Sequence, residues 1–301
     1  MATLSTALAS SFASTSSGAE AALTLHTTTD ARAANPLLMA PSTVLLQRRF
    51  KTHTPLQVDT WQAALECSGL VERYPRLVQS VEEGFIVGVP PLSWTFVPLN
   101  SSSMKMYAEA FEKIVRHELE MEQYIGPFLR ATLESLIGLF QTSPLSLTPK
   151  PKPNAFCLIQ NFLYPYTSTD NYRSLNSYIN SDDYPCMWAT FTAISLMLSR
   201  LPSGSQVAVR DVSEAYRIIS LHPSQWPGTI IRYSENDQFI VDTSAAFGLA
   251  SNTGVFGHKG DALADYLRFC SMIDEKWVDD YLVSRILREH IAAHNSSGAA
   301  I

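Results

Sequence analysis

Asp211 and the adjacent pair Asp279-Asp280 are the acids whose surroundings single them out. Asp211 ends the run Ala208-Val209-Arg210; the pair follows Trp277-Val278 and precedes Tyr281-Leu282-Val283. Each acid thus follows apolar residues with strand character. A carboxylate at the end of a buried strand is costly unless water, a partner or a cation compensates it. Two such acids brought together repel, and a divalent metal resolves that repulsion. Mg²⁺ prefers carboxylate oxygens together with retained waters and phosphate oxygens. Neighbours in an extended strand point to opposite faces. Asp279 and Asp280 therefore reach one site only through a tight turn, which predicts a β-hairpin with the pair at its tip. An Asp-Asp pair alone is most often a solvated turn, and Glu82-Glu83 and Asp182-Asp183 are read that way.

Other arrangements carry less chemistry. His290 and His294 stand four apart on an expected helix, but Ile-Ala-Ala between them lacks the glutamate of a zinc-protease helix. They are read as surface residues. His222, before Pro223, is read as structural. Ser213 and Ser251 have no evident histidine partner, and no G-x-S-x-G elbow occurs. Gly257-His258-Lys259-Gly260 is too short for a phosphate loop. Cys67, Cys157, Cys186 and Cys270 are widely spaced, with no C-x-x-C pair, which favours a reducing compartment and disfavours structural zinc.

The elements that must position the acids follow from periodicity. Trp61, Leu65, Leu70 and Tyr74 predict a short amphipathic helix. Residues 87–100 carry three prolines and read as extended. Residues 102–125 predict a helix with Tyr107, Phe111, Ile114, Val115 and Met121 on its inner stripe. A second, over about 128–140, turns Leu129, Leu133, Leu136, Ile137 and Phe140 inward. After Gln141 short β-like runs and turn signals begin, and a domain boundary is placed near 140–145. The run 187–200 is apolar almost all round and should form a buried helix. Residues 206–209 read as a strand, 229–233 and 239–241 as a hairpin, 253–270 as a helix, and 277–283 as a strand.

Composition bounds the classes. The chain has 301 residues, 46% hydrophobic and 17% charged, which supports a real core and excludes a wholly disordered chain. A net charge of −6 argues against a strongly basic nucleic-acid binder, while leaving room for a local basic groove. No run of 18 apolar residues occurs, so no membrane span is expected, and the location is read as cytoplasmic or nuclear, not secreted. Residues 1–57 read as a disordered low-complexity tail. Residues 58–140 read as a helical extension, 141–295 as the main unit and 296–301 as a tail.

The ordered set resembles the fingers and palm of a reverse transcriptase. Ser143-Pro144-Leu145-Ser146-Leu147-Thr148-Pro149-Lys150-Pro151-Lys152 and Phe156-Cys157-Leu158-Ile159-Gln160-Asn161-Phe162 look like two fingers strands. Arg210 to Arg217 with Ile219-Ser220-Leu221-His222-Pro223 is similar to the first palm motif. Phe247-Gly248-Leu249-Ala250-Ser251-Asn252 is similar to the second, and Trp277-Val278-Asp279-Asp280 to the third. Upstream, residues 124–127 and 135–144 look like the segment before the polymerase core in fungal retrotransposons of the tyrosine-recombinase (DIRS-like) type.

The resemblance implies an α+β fold: right-hand fingers and palm, the antiparallel palm sheet covered by the helices at 187–200 and 253–270, plus the N-terminal helical extension. It implies RNA-directed DNA synthesis with a template–primer of RNA or DNA and deoxynucleoside triphosphates as partners. Asp211 and Asp279 would hold two Mg²⁺ ions, with Mn²⁺ as a substitute, the Val212 carbonyl a further ligand and Asp280 beside them. Two metals clamp the attacking and leaving oxygens of an in-line displacement. Tyr216 falls at the sugar-gate position, and Phe247 and Gly248 would line the incoming base and template. Lys150 and Lys152 are candidates for the triphosphate, or are two surface lysines in a proline-rich loop. Cys157 stands where the family usually has Arg or Lys, and a thiol cannot make a charge-assisted bond to phosphate. No length remains after the third motif for a thumb. The alternative is a catalytically inactive retroelement relic, or an interaction module, that keeps the palm fold. No protein partner is inferred.

Overall fold

The computed structural model describes residues 54–169, 172–270 and 272–296. Most of the expected tail at 1–57, and residues 297–301, lie outside the described residues, as does the His294 side chain. Helix α1 (Val58–Ser68) buries Leu65 and stops where Gly69 takes φ +69°. The Gly69 and Leu70 N–H groups then turn back to the carbonyls of Glu66 and Leu65, closing the helix end as left-handed glycine caps do. The expected helix is therefore shorter, and Leu70 and Tyr74 reach the core from the turns that follow. Helix α2 spans Leu77–Glu83.

The single helix expected over 102–125 is two: α3 (Ser103–Met106) and α4 (Ala108–Glu120). Tyr107 breaks them, at φ −118° and ψ 39°. Phe111 and Val115 are buried as the stripe predicts, but Met121 lies past the helix end and is exposed. Next comes a strand, β1 (Tyr124–Leu129), where one expected helix was to end at 125 and the next to begin near 128. Helix α5 (Arg130–Ile137) buries Leu133 and Ile137. Leu129 does not face inward: it ends the strand, 59% exposed.

Strands β2 (Leu145–Pro149) and β3 (Phe156–Gln160) form a separate antiparallel ribbon. Strands β5 (Ile230–Ser234) and β6 (Gln238–Asp242) form the expected hairpin, and β1 adds to its other edge in the order β1-β6-β5. Helix α6 (Phe191–Arg200) is the clearest departure from expectation. Only Met197 is buried and Phe191 is 84% exposed. An apolar run without a stripe specifies no inner face, and here one narrow row is covered.

The third sheet is antiparallel, in the order β4-β8-β7. It comprises β4 (Gln206–Asp211), β7 (Ile273–Trp277) and β8 (Asp280–Arg285). The single strand expected over 277–283 is thus the hairpin of β7 and β8. Helix α7 (Asn252–Phe269) backs the sheet. The buried Lys276 amine donates to the Gly257 carbonyl at 2.9 Å and pairs with Asp261, while the Tyr281 hydroxyl donates to the Gly260 carbonyl at 3.3 Å. Helix α8 (Arg288–Ser296) ends the described chain. The main core runs from Leu65 to Ala262 and includes Phe140, Trp226, Phe239 and Phe256. The molecule is thus a mixture of helices and antiparallel sheets. No helix among the described residues is long and apolar enough to cross a membrane.

Candidate functional site

The β4-β8-β7 sheet has two unlike faces. Lys276 and Tyr281, paired across the hairpin, point to α7. The next pair, Trp277 and Asp280, must point the other way. Asp211 stands directly opposite Asp280 in the β4–β8 ladder. Directly opposed residues of an antiparallel pair share a face, so Asp211, Asp280 and Trp277 lie together on the face away from α7. Val209 and Leu282, then Val207 and Ser284, continue that face along the strands. Trp277 is 54% exposed.

Asp279 lies in the two-residue turn between Trp277 and Asp280. Its carbonyl accepts the Val212 N–H at 2.9 Å, which fastens the hairpin tip to the end of β4. Val278 takes φ +52°, a region in which a β-branched side chain is an outlier. Strain of this kind survives only where the surroundings enforce it. Among the described residues, the Asp211, Asp279 and Asp280 side chains have no ion-pair or hydrogen-bond partner. No group of three or more His, Cys, Asp or Glu among the described residues is arranged as a metal cage. The donor set still suits Mg²⁺, which binds through one or two carboxylates and takes its remaining oxygens from water and substrate phosphate.

Tyr216 and Phe247 come together. Their rings meet edge to face at 4.7 Å, and Phe256 closes on Tyr216 from another side at 5.6 Å. The Tyr216 hydroxyl lies 3.2 Å from Thr253 Oγ1. Phe247 is 60% exposed. Gly248 takes φ +101°, and a Cβ there would stand 3.4 Å from the Gln160 carbonyl oxygen. Asn176 holds this loop and was not singled out from the sequence. Its side-chain amide donates to the Gly248 carbonyl at 2.8 Å, and its oxygen accepts the Ala250 N–H at 2.9 Å. An asparagine in an irregular stretch gives no periodic signal; only the fold brings it to the loop.

Lys150 and Lys152 lie in the exposed loop joining β2 to β3, apart from the sheet that carries the acids. The loop is closed by the Lys150 N–H on the Ala155 carbonyl, 2.8 Å, and the Ala155 N–H on the Lys152 carbonyl, 3.2 Å. Cys157 is exposed and stands opposite Thr148. His222 accepts from the Ser224 N–H at 3.3 Å, and burial pushes its pKa down. The Ser251 hydroxyl donates to the Val87 carbonyl at 2.6 Å. Both fit structural roles.

No family model matches the chain, and no curated protein matches it. Solved structures do. The chain is similar to the native protease-reverse transcriptase of prototype foamy virus, at 14% identity and a TM-score of 0.46. That likeness covers 88% of this chain and 32% of the viral one. It is also similar to the foamy viral protease-reverse transcriptase in complex with an RNA/DNA hybrid, at 12% identity and a TM-score of 0.48, over 88% and 32% of the two chains. For the same viral protein in complex with dsDNA the values are 13% and 0.46, over 87% and 50%. This chain therefore spans between 32% and 50% of the length of these structures.

Proposed function

We propose that the chain is the fingers-and-palm part of a reverse-transcriptase-like polymerase, carrying the acids of template-directed nucleotidyl transfer. The observation that carries the reading is the pairing of Asp211 with Asp280, with Asp279 in the adjoining turn. Three carboxylates with no cationic partner gather at one end of a sheet face that also carries Glu275 and along which β4 is exposed; a cation from outside the chain would relieve their mutual repulsion. Asp211, Asp279 and the Val212 carbonyl would hold Mg²⁺, or Mn²⁺ in its place, with Asp280 beside them. When bound, such ions neutralise charge on the attacking and leaving oxygens of an in-line displacement.

The remaining residues bind and orient. Tyr216, braced by Phe247, Phe256 and Thr253, offers a fixed ring edge against which a deoxyribose would rest and a 2′-hydroxyl would clash. Gly248, held by Asn176, leaves the backbone open to an incoming base or template. Lys150 and Lys152 would contact the triphosphate as flexible point charges. The partners in this reading are an RNA or DNA template–primer and deoxynucleoside triphosphates. The finer assignment, to a fungal retrotransposon of tyrosine-recombinase type, rests on residues 124–127 and 135–144 alone.

A second reading has its own support. Cys157, exposed where the resemblance expects a cation, removes a phosphate contact and fits an inactive relic or interaction module. Primer extension on a poly-rA template with Mg²⁺ separates the two. Extension that disappears in Asp279→Asn is the expected result and eliminates the relic. Absence of extension, with no triphosphate binding, removes the polymerase reading.

A further inference from the structure

We infer that Lys276 is a positioning residue for the metal-binding acids: buried behind the sheet, it pins the hairpin of Asp279 and Asp280 to α7 and so sets where those carboxylates stand. The inference rests on the proposed function, because it concerns the same acids. Lysine is an unexpected occupant of this position. It lies in β7, three residues before Asp279, and is only 4% exposed. An ammonium taken out of water is costly unless it is paired and hydrogen-bonded. Here the whole residue is engaged. The amine donates to the Gly257 carbonyl at 2.9 Å, pairs with Asp261 and lies 4.5 Å from the centre of the Trp188 ring. The stem passes Gly260, where a Cβ would stand 2.9 Å from the Lys276 Cδ. The Lys276 carbonyl accepts the Ala189 N–H at 2.7 Å, which ties the segment ahead of α6 to the same strand. Across the ladder, the Tyr281 hydroxyl donates to the Gly260 carbonyl at 3.3 Å. Both legs of the hairpin thus end on carbonyls of one helix, three residues apart.

The hold reaches the acids because little lies between. Lys276–Tyr281 is the last pair facing α7 before Trp277–Asp280 and the turn. Val278 keeps φ +52° in that turn, a conformation that its surroundings must enforce. Two contacts do so: the Asp279 carbonyl takes the Val212 N–H in front, and Lys276 holds α7 behind. A buried ion pair often adds little to stability beside well-packed apolar groups. Its directional bonds, however, fix one placement where an apolar side chain would accept several. The same helix carries the other half of the site. Phe256, next to Gly257, meets the Tyr216 ring at 5.6 Å, and Thr253 Oγ1 lies 3.2 Å from its hydroxyl. Through Lys276, α7 joins the turn that bears the acids to the residues that brace Tyr216.

Metal affinity separates this role from two others. Removing a nearby positive charge, by itself, favours cation binding. Removing a residue that serves stability alone leaves the affinity of the folded protein as it was. Removing a positioning contact weakens binding. Mn²⁺ binding to the full chain is followed by the electron paramagnetic resonance signal of the free ion, and the acid site is the binding that Asp279→Asn abolishes. Lys276→Met, unbranched and apolar, should weaken that binding about tenfold, the low end of what loss of an outer support costs a metal site. Phe140→Leu, a core change beside Phe239, should lower the melting temperature and leave Mn²⁺ affinity unchanged. Should Lys276→Met fail to fold, Lys276→Gln, which keeps a donor for the Gly257 carbonyl, is held to the same direction of change. Unchanged or tighter Mn²⁺ binding in the folded lysine variant overturns the proposal and leaves the polymerase reading standing. A natural chain with no Mn²⁺ binding that Asp279→Asn abolishes overturns both.

Discussion

At the scale of single residues, the hairpin tip is where chemistry and conformational preference disagree. Trp277-Val278-Asp279-Asp280 contains no glycine and no Asn-Gly or Asp-Gly; its aspartates suit turns in general, but the β-branched Val278 does not suit a two-residue one. Local propensity alone makes it one strand. Only the demand that two neighbouring acids serve one site predicts the turn that is found. The disagreement is visible as the φ of +52° at Val278, where a left-handed conformation costs an L-residue about 1–2 kcal/mol. Glycine removes that cost but adds freedom to the unfolded chain. Val278→Gly should therefore raise stability by no more than about 1 kcal/mol, read from urea midpoints. A loss of stability would mean that the Val278 side chain contributes more through contact than its backbone stores as strain. Cys157→Arg tests the other local departure. A guanidinium on the outer face of β3 should lower the apparent KM for the triphosphate severalfold. An unchanged KM would count against reading β3 as the fingers strand.

Among the elements, those whose signal is local were legible and those set by partners were not. The hairpin of β5 and β6 follows from alternation around Ser-Glu-Asn-Asp, and α7 follows from its length and pattern. Strand β1 was missed because Gly126-Pro127 reads as a breaker; its pairing with β6 lies more than a hundred residues away, and the ladder slips at that point. Helix α6 forms within the expected run but is left mostly exposed, because an all-apolar run says that something should cover it without saying what. The glycines of this helix carry no periodic signal, and Gly257-His258-Lys259-Gly260 is too short for a phosphate loop. Its real constraint is close approach: a Cβ on Gly257 would meet the Cys186 Cβ at 2.3 Å, and one on Gly254 the Tyr184 carbonyl oxygen at 1.8 Å. Alanine is the better helix former by about 1 kcal/mol. Even so, Gly257→Ala should destabilise the protein by about 1–3 kcal/mol, because the helix must move off its neighbour. Chemical denaturation checks this, and a stabilised variant would show that the approach relaxes without cost.

For the molecule as a whole, the decisive contact joins the part before residue 140 to the part after it. The Arg217 guanidinium reaches both Asp242 oxygens at 2.9 Å, Glu118 at 2.6 Å and the Gln123 side-chain oxygen at 3.0 Å, and lies over the Tyr124 ring. It thereby fixes α4, the start of β1 and the end of β6 around the turn that also carries Tyr216. The core likewise crosses the expected boundary without a break. Burial pushes the Asp242 carboxyl up to about 6, against the pull of Arg217, and Glu118 adds to the rise. In the unfolded chain an aspartate titrates near 4, so between about pH 4 and 6 the native state holds more protons than the unfolded one. The stability this supplies is complete below about pH 4 and is lost as pH rises through about 6. Asp242→Asn cannot titrate. The stability of the natural protein minus that of the variant should therefore fall across this window, by a few kcal/mol at most. Urea midpoints for both proteins at four pH values from 4 to 7 measure it. A difference that stays level or grows with pH would mean that Arg217 keeps Asp242 ionised throughout, and that the buried cluster acts as a fixed ion pair rather than a proton-binding one.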